Sequence, residues 1–84
     1  MIERIALAPG RERIRVKVTN TSNRVIRVSS HYPFWRTNRR LEFDREAARG
    51  FRLDVPAGAS VRFPPGEARA VELVRFGGRG GGDG

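Results

Sequence analysis

The sequence predicts an all-β protein. Three observations lead there: short runs in which apolar and charged residues alternate, proline–glycine signals that interrupt those runs, and no segment able to supply the helix of a βαβ unit. The interruptions fall at Pro9-Gly10, Pro56-Ala57-Gly58 and Pro64-Pro65-Gly66. Proline fixes φ and glycine tolerates its positive values, so each is expected to turn the chain.

Taken in order, the first strand runs through Ile14, Val16 and Val18, which share one face while Arg13, Arg15 and Lys17 share the other. That is the pattern of a half-buried strand. Thr19 to Asn23 is polar and turn-like, and alternation resumes in Val25 to Ser30 with Ile26 and Val28 on one face. These two runs are expected to pair as a hairpin. Asp44 to Arg49 is expected to form the one short helix: Asp44 can cap the free amides of a first turn, Glu46 suits the positive end of the helix dipole, and Gly50 can end it. Phe51, Leu53 and Val55 alternate with Arg52 and Asp54, and Val61 and Phe63 repeat the pattern beyond the Pro-Ala-Gly turn, which predicts a second hairpin. The last run, Ala68 to Phe76, breaks its own alternation, since Val71 and Leu73 share one phase while Val74 and Phe76 share the other. A β-bulge near Leu73 or burial on both faces accounts for that. A single domain is expected over residues 1–76. Residues 77–84, GGRGGGDG, offer little to bury and are expected to form a flexible Gly-rich tail.

A chain of 84 residues builds at most one domain with a modest core, whose stability would gain from a partner subunit. The absence of cysteine excludes a disulfide framework and a thiolate metal site, and it fits a reducing compartment. The opening MIERIALAPG carries Glu3 and Arg4 and has no apolar stretch long enough for a signal peptide or a membrane span, so a soluble, cytoplasmic protein is expected.

A formal charge of +8 would draw the chain to nucleic acid through counterion release. Yet Lys17 is the only lysine, and the arginines are spread through all segments without forming one block. Arginine is also the side chain suited to pairing carboxylates across protein interfaces. The single Gly78-Arg79-Gly80 unit, without flanking aromatics, is a weak RNA signal. A basic β module binding RNA or other anionic surfaces is therefore kept as the alternative.

Catalytic patterns are weak. Ser29, Ser30, His31 and Asp44 include the residue types of a hydrolase triad, but no G-x-S-x-G elbow surrounds either serine, and no glycine pattern leads into a P-loop. Glu42, Asp44 and Glu46 sit among Arg39, Arg40 and Arg45, where ordinary ion pairing accounts for them. The one histidine, His31, cannot build an imidazole-rich metal site.

Residues Ser30 to Glu67 place these pieces in a fixed order. SHYPF at Ser30 to Phe34, Asn38, LEFDREAARG at Leu41 to Gly50 and RLDVPAGASVRFPPG at Arg52 to Gly66 resemble the β subunit of urease. That family reads as an SHYHF-type segment, an Asn a few residues later, an L-x-FDR-x-x-A-x-G segment and an RL-x-IPAG-x-x-VRF-x-PG segment. NTSNRVIRV at Asn20 to Val28 also fits, so the resemblance runs from about Ile14 to Gly78.

The resemblance implies a compact, all-β subunit with little helix, joined to urease α and γ subunits in a multi-subunit, typically trimeric assembly that hydrolyses urea to ammonia and carbamate. It places the two nickel ions and the catalytic groups in the α subunit. This chain is then expected to hold no cofactor, no metal ligand and no catalytic residue, and to act as a structural partner. Pro33 stands where the family has a second histidine, Arg36 near where it has an acid, and Pro64 where an acid precedes the last Pro-Gly. Family members also begin with an extra β segment and continue past the Gly77-Gly78 position into a further apolar strand.

His31, Tyr32, Trp35, Arg36, Arg39 and Arg40 form the candidate subunit interface, since aromatic and Arg side chains are the usual anchors of such surfaces. Two other uses stay open for the aromatics Tyr32, Phe34 and Trp35: core packing and base stacking. His31 likewise has two readings, a contact with the catalytic subunit or a structural histidine at a strand end with those aromatics packed around it.

Overall fold

The computed structural model describes residues 3–8 and 11–76. It is built of strands: β1 (Glu3–Ala8), β2 (Arg11–Asn20), β3 (Ile26–Ser29), β4 (Leu41–Glu42), β5 (Phe51–Leu53), β6 (Ser60–Phe63) and β7 (Ala68–Arg75). A single-turn 3-10 helix at Phe34–Arg36 follows β3. The all-β expectation therefore holds. The Pro9-Gly10 turn and the Gly-rich segment 77–84 lie outside the described residues.

β2 organises the larger sheet. One of its edges pairs antiparallel with β7 in continuous register from Arg13↔Val74 to Thr19↔Ala68. Its other edge pairs with β1 near the start and with β4 at Thr19↔Glu42 and Asn20↔Leu41. β5 extends the sheet beyond β7 through Phe51↔Arg75, Arg52↔Val74 and Leu53↔Leu73. β3 and β6 form a separate antiparallel ribbon, from Ile26↔Phe63 to Ser29↔Ser60.

Neither expected hairpin forms. The runs 14–18 and 25–30 lie in different sheets, and so do 51–55 and 61–63. Alternation specifies which face of a strand is buried and leaves its neighbour open. Here the segments after β2 and after β5 carry the chain from one sheet to the other, so both halves of each supposed hairpin still turn their apolar faces to a common core. That core joins Ile14, Val16 and Val18 of β2, Leu73 of β7, Phe51 and Leu53 of β5, Val28 of β3 and Phe63 of β6, with Phe34 and Leu41 among them. β1 was not anticipated from the sequence, and its pairing with β2 slips between Ile5 and Ala8.

The broken alternation of the last strand has a definite cause. Leu73 and Val74 are both buried, while the register with β2 and β5 runs through them without interruption. Burial on both faces, and not a bulge, explains the pattern. Val74 lies between Arg13 and Arg52 across the strands, and the Arg13 Nε donates to Asp54 Oδ2 at 2.7 Å beside it.

The helix expected at Asp44 to Arg49 is a run of turns. Asp44 does act as its cap, since Oδ1 accepts from the Ala47 amide at 3.1 Å. The Ala48 amide then reaches both Asp44 O and Arg45 O, and the Arg49 amide falls back to Glu46 O. One bond of helical spacing is too little to offset the cost of nucleation in so short a run. The two Pro-Gly turns behave as expected. The Ala59 amide bonds Pro56 O at 2.9 Å and the Glu67 amide bonds Pro64 O at 3.3 Å, with Gly58 at φ 87 and Gly66 at φ 74 in the third position of each turn. A type II turn requires that positive φ.

Asn20 ties the two sheets together. Its side chain is fully buried, and every amide atom is used: Nδ2 donates to Arg24 O and to Phe63 O, and Oδ1 accepts from the amide and the hydroxyl of Ser22. Its backbone amide donates to Glu67 O, and its carbonyl accepts from Gly66. The end of β2 is thereby fixed to β6, to the Pro64–Gly66 turn and to the 21–25 segment. Asn20→Ala leaves those buried groups unpaired, so unfolding in urea should show a loss of about 2–4 kcal/mol. In thermal melts this reads as a fall in Tm of roughly 10–20 °C for a chain of this size.

Candidate subunit-docking site

The six candidate interface residues lie on one segment between β3 and β4. The segment leaves β3 at a tight turn in which the Tyr32 amide bonds Ser29 O at 3.3 Å, while the buried Ser30 donates its amide to Ala59 O at 2.9 Å. His31, in that turn, is exposed. Its exposure sets it outside the core that Phe34 joins. Pro33 is the N-cap of the 3-10 helix, with an extended backbone at φ -61 and ψ 112. The Arg36 amide bonds Pro33 O and the Thr37 amide bonds Phe34 O, and the buried Thr37 hydroxyl donates to the same carbonyl at 2.9 Å.

The aromatic cluster divides. Phe34 is core, with its ring centroid 4.8 Å from Phe43 and 6.3 Å from Phe63. Trp35 is half-buried, edge-on to Phe76 at 6.0 Å. Tyr32 remains 43% exposed, its hydroxyl donating to Arg36 O at 3.3 Å. Arg36, Arg39 and Arg40 are exposed, and none of their guanidinium groups has an ion-pair partner among the described residues. The loop is thus two-sided: Ser30, Phe34, Thr37 and Leu41 are buried, while His31, Tyr32, Arg36, Arg39 and Arg40 face water.

One residue holds this loop in shape, and ion-pair reasoning from the sequence misplaced it. Among the described residues Arg45 bonds no carboxylate. Its Nη1 donates to Trp35 O at 3.0 Å and Thr37 O at 3.1 Å, and its Nη2 donates to Asn38 O at 2.8 Å and Leu41 O at 2.7 Å. The guanidinium also lies 4.5 Å over the Phe43 ring, within cation–π range. A planar fork with five N–H groups can serve four carbonyls at once, which an ammonium cannot. Asn38 helps from within the loop: its Oδ1 accepts from the Arg40 amide at 2.8 Å, and the Arg40 carbonyl accepts from both the amide and hydroxyl of Thr21. Of the carboxylates once set among these arginines, Glu46 pairs with Arg49 at 3.3 Å in an exposed bridge.

The arrangement can bind and position. Among the described residues no group of three or more His, Cys, Asp or Glu could hold a metal ion. What the loop offers is a rigid backbone with a tyrosine, a tryptophan edge, a histidine and three unpaired guanidiniums on its outer side.

Comparison with known proteins agrees with the order of motifs along this loop. Residues 1–83 match the family described as urease beta subunit. The chain belongs to the urease beta subunit family. The match is wider than the Ile14 to Gly78 stretch that the motifs carried. The chain is 56% identical over 69 residues to urease subunit beta of Haemophilus influenzae strain PittEE, a match covering 82% of this chain and 68% of that one. Urease subunit beta of Actinobacillus pleuropneumoniae serotype 7 strain AP76 is equally similar, at 56% over 69 residues with the same coverage.

Two departures from the urease β pattern now have a structural place. Pro33 is the extended N-cap of the 3-10 helix, while Arg36, at the end of that turn, puts a cation on the outer side of the loop. Arg45→Lys should destabilise the fold by about 1–3 kcal/mol, because a point-like ammonium cannot satisfy the four carbonyls. Hydrogen exchange localises the effect: the Arg36, Thr37 and Leu41 amides should exchange faster while those of the β2–β7 ladder keep their protection.

Proposed function

We propose that this chain is a non-catalytic structural subunit of a nickel-dependent urease, in which a partner α subunit hydrolyses urea to ammonia and carbamate. Membership of the urease beta subunit family, in a chain with a single imidazole, carries this conclusion. Activating water at a pair of nickel ions takes several converging imidazole and carboxylate ligands. The described residues do not fit such a site: His31 is exposed, and no cluster of three suitable donors includes it. The metal is therefore assigned to the α subunit, and no step of the reaction is routed through this chain.

Its work in the assembly is to present surface. The loop from His31 to Arg40, held from behind by Arg45, offers aromatic and guanidinium anchors of the kind that dominate protein interfaces. Carboxylates of the α or γ subunits are the natural partners of Arg36, Arg39 and Arg40, since a guanidinium pairs bidentately with a carboxylate. A trimeric assembly in the cytoplasm is the proposed setting. No helix among the described residues is long and apolar enough to cross a membrane.

Co-expression with a tagged urease α subunit and a γ subunit tests the assignment. The chain should co-elute with both, with nickel and ureolysis in the complex and no ureolysis in the isolated chain. A wild-type chain that fails to co-elute, or that hydrolyses urea by itself, overturns it. Arg36→Glu with Arg39→Glu should weaken retention by the α subunit about tenfold or more. The Tm of the isolated variant should stay within about 5 °C of wild type, because exposed substitutions away from packed features change stability little.

A further inference from the structure

A second concentration of charge lies outside the docking loop, on the β3–β6 ribbon. Arg27 and Arg62 stand directly opposite each other in its antiparallel register, and both are exposed. Directly paired residues share one face of a ribbon, so two guanidiniums sit side by side where like charges are destabilising. Neither has a carboxylate partner among the described residues. Arg69 adds to the charge from the neighbouring segment, its Nη1 donating to the Arg62 carbonyl at 2.8 Å.

A groove runs beside the ribbon. Ser22, Arg24, Val25, Arg27, Asn38 and Arg40 are among its lining residues, and none of the described residues that line it is acidic or aromatic. Arg24 and Arg40 are exposed and, like Arg27, have no ion-pair partner among the described residues. Val25 is 48% exposed and gives the groove an apolar spot ringed by cations.

We propose that this groove and the adjoining ribbon face bind an acidic segment of a protein partner, with its carboxylates on Arg24, Arg27, Arg40 and Arg62 and an apolar side chain on Val25. Charge complementarity decides the occupant. A second copy of this chain carries the same +8 charge, and groove against groove it would bring cations to cations among the described lining residues. A nucleic-acid strand would find cations but no aromatic surface for its bases to stack on. A protein segment with carboxylates around an apolar residue matches both parts of the site, since guanidinium forks bind carboxylates bidentately and interfaces combine an apolar centre with a polar rim. Such a partner would also relieve the Arg27–Arg62 repulsion. The groove shares Arg40 with the candidate docking loop, but Arg27 and Arg62 lie outside that loop, so a variant of those two separates this binding from assembly with an α subunit.

Fluorescence anisotropy with the full chain tests it. The probe is a fluorescein-labelled peptide of alternating glutamates with a central leucine, compared with the same peptide carrying Gln for Glu and with an oligothymidylate of equal charge. Wild type should bind the acidic peptide in preference to both. Arg27→Glu with Arg62→Glu should weaken it about tenfold or more, whereas Lys17→Glu with Arg49→Glu, equal in net charge and outside the groove, should weaken it less than about threefold. Circular dichroism melts establish that both double variants fold. The Arg27→Glu, Arg62→Glu chain should also gain affinity for the matching lysine peptide. Equal losses in the two double variants, or equal binding of the Gln peptide, would sink the proposal. So would tighter binding of the oligothymidylate that is lost with Arg27→Glu and Arg62→Glu, which would make the site one for nucleic acid.

Discussion

The buried amide of Asn20 is the point on which the arrangement of the chain depends. Four hydrogen bonds to its side chain and two to its backbone connect β2, β6, the Pro64–Gly66 turn and the 21–25 segment. A buried amide is costly unless every atom is paired, so its geometry admits few alternatives. Fixing the end of β2 also fixes β4, which pairs at Thr19 and Asn20, and through Thr21 it anchors the Arg40 carbonyl at the end of the docking loop. Core, groove and docking loop thus meet at one side chain.

Two side chains divide the structural work. Asn20 joins the sheets, and Arg45 shapes the outward loop by gathering four carbonyls, three of them outside any strand. Both lie in motif positions that resemble the urease β pattern. The guanidiniums of Arg24, Arg27, Arg36, Arg39, Arg40 and Arg62, by contrast, have no ion-pair partner among the described residues. Charge is used inside the molecule as a scaffold and outside it as an offer to other molecules.

How much of this was legible in the sequence follows from what alternation encodes. The in–out pattern of Ile14, Val16 and Val18 reads directly, because burial of one face has a period of two. Strand partners do not read, because β2 pairs with β7 through contacts such as Arg13↔Val74 that no local spacing signals. The capping role of Asp44 was legible, but helix length was not, since turns and a single helical turn share the same start signal. Of the candidate site, the outward residues followed from their types and from the family resemblance. Arg45 was missed because its partners are backbone carbonyls, which leave no trace in side-chain identity. Arg27 and Arg62 were missed because their opposition exists only once β3 and β6 are known to pair.

The long-range pairing of β2 with β7 also sets an order in time. Seven register pairs, from Arg13↔Val74 to Thr19↔Ala68, wait for a strand that leaves the ribosome last among those described. Until it arrives, a ten-residue, valine-bearing strand has a bare hydrogen-bonding edge that any other extended chain can occupy. Domains dominated by such distant contacts fold slowly compared with helical bundles of similar length. The interval before β7 docks is therefore when this chain is most open to aggregation, and early capture by another subunit would shorten it.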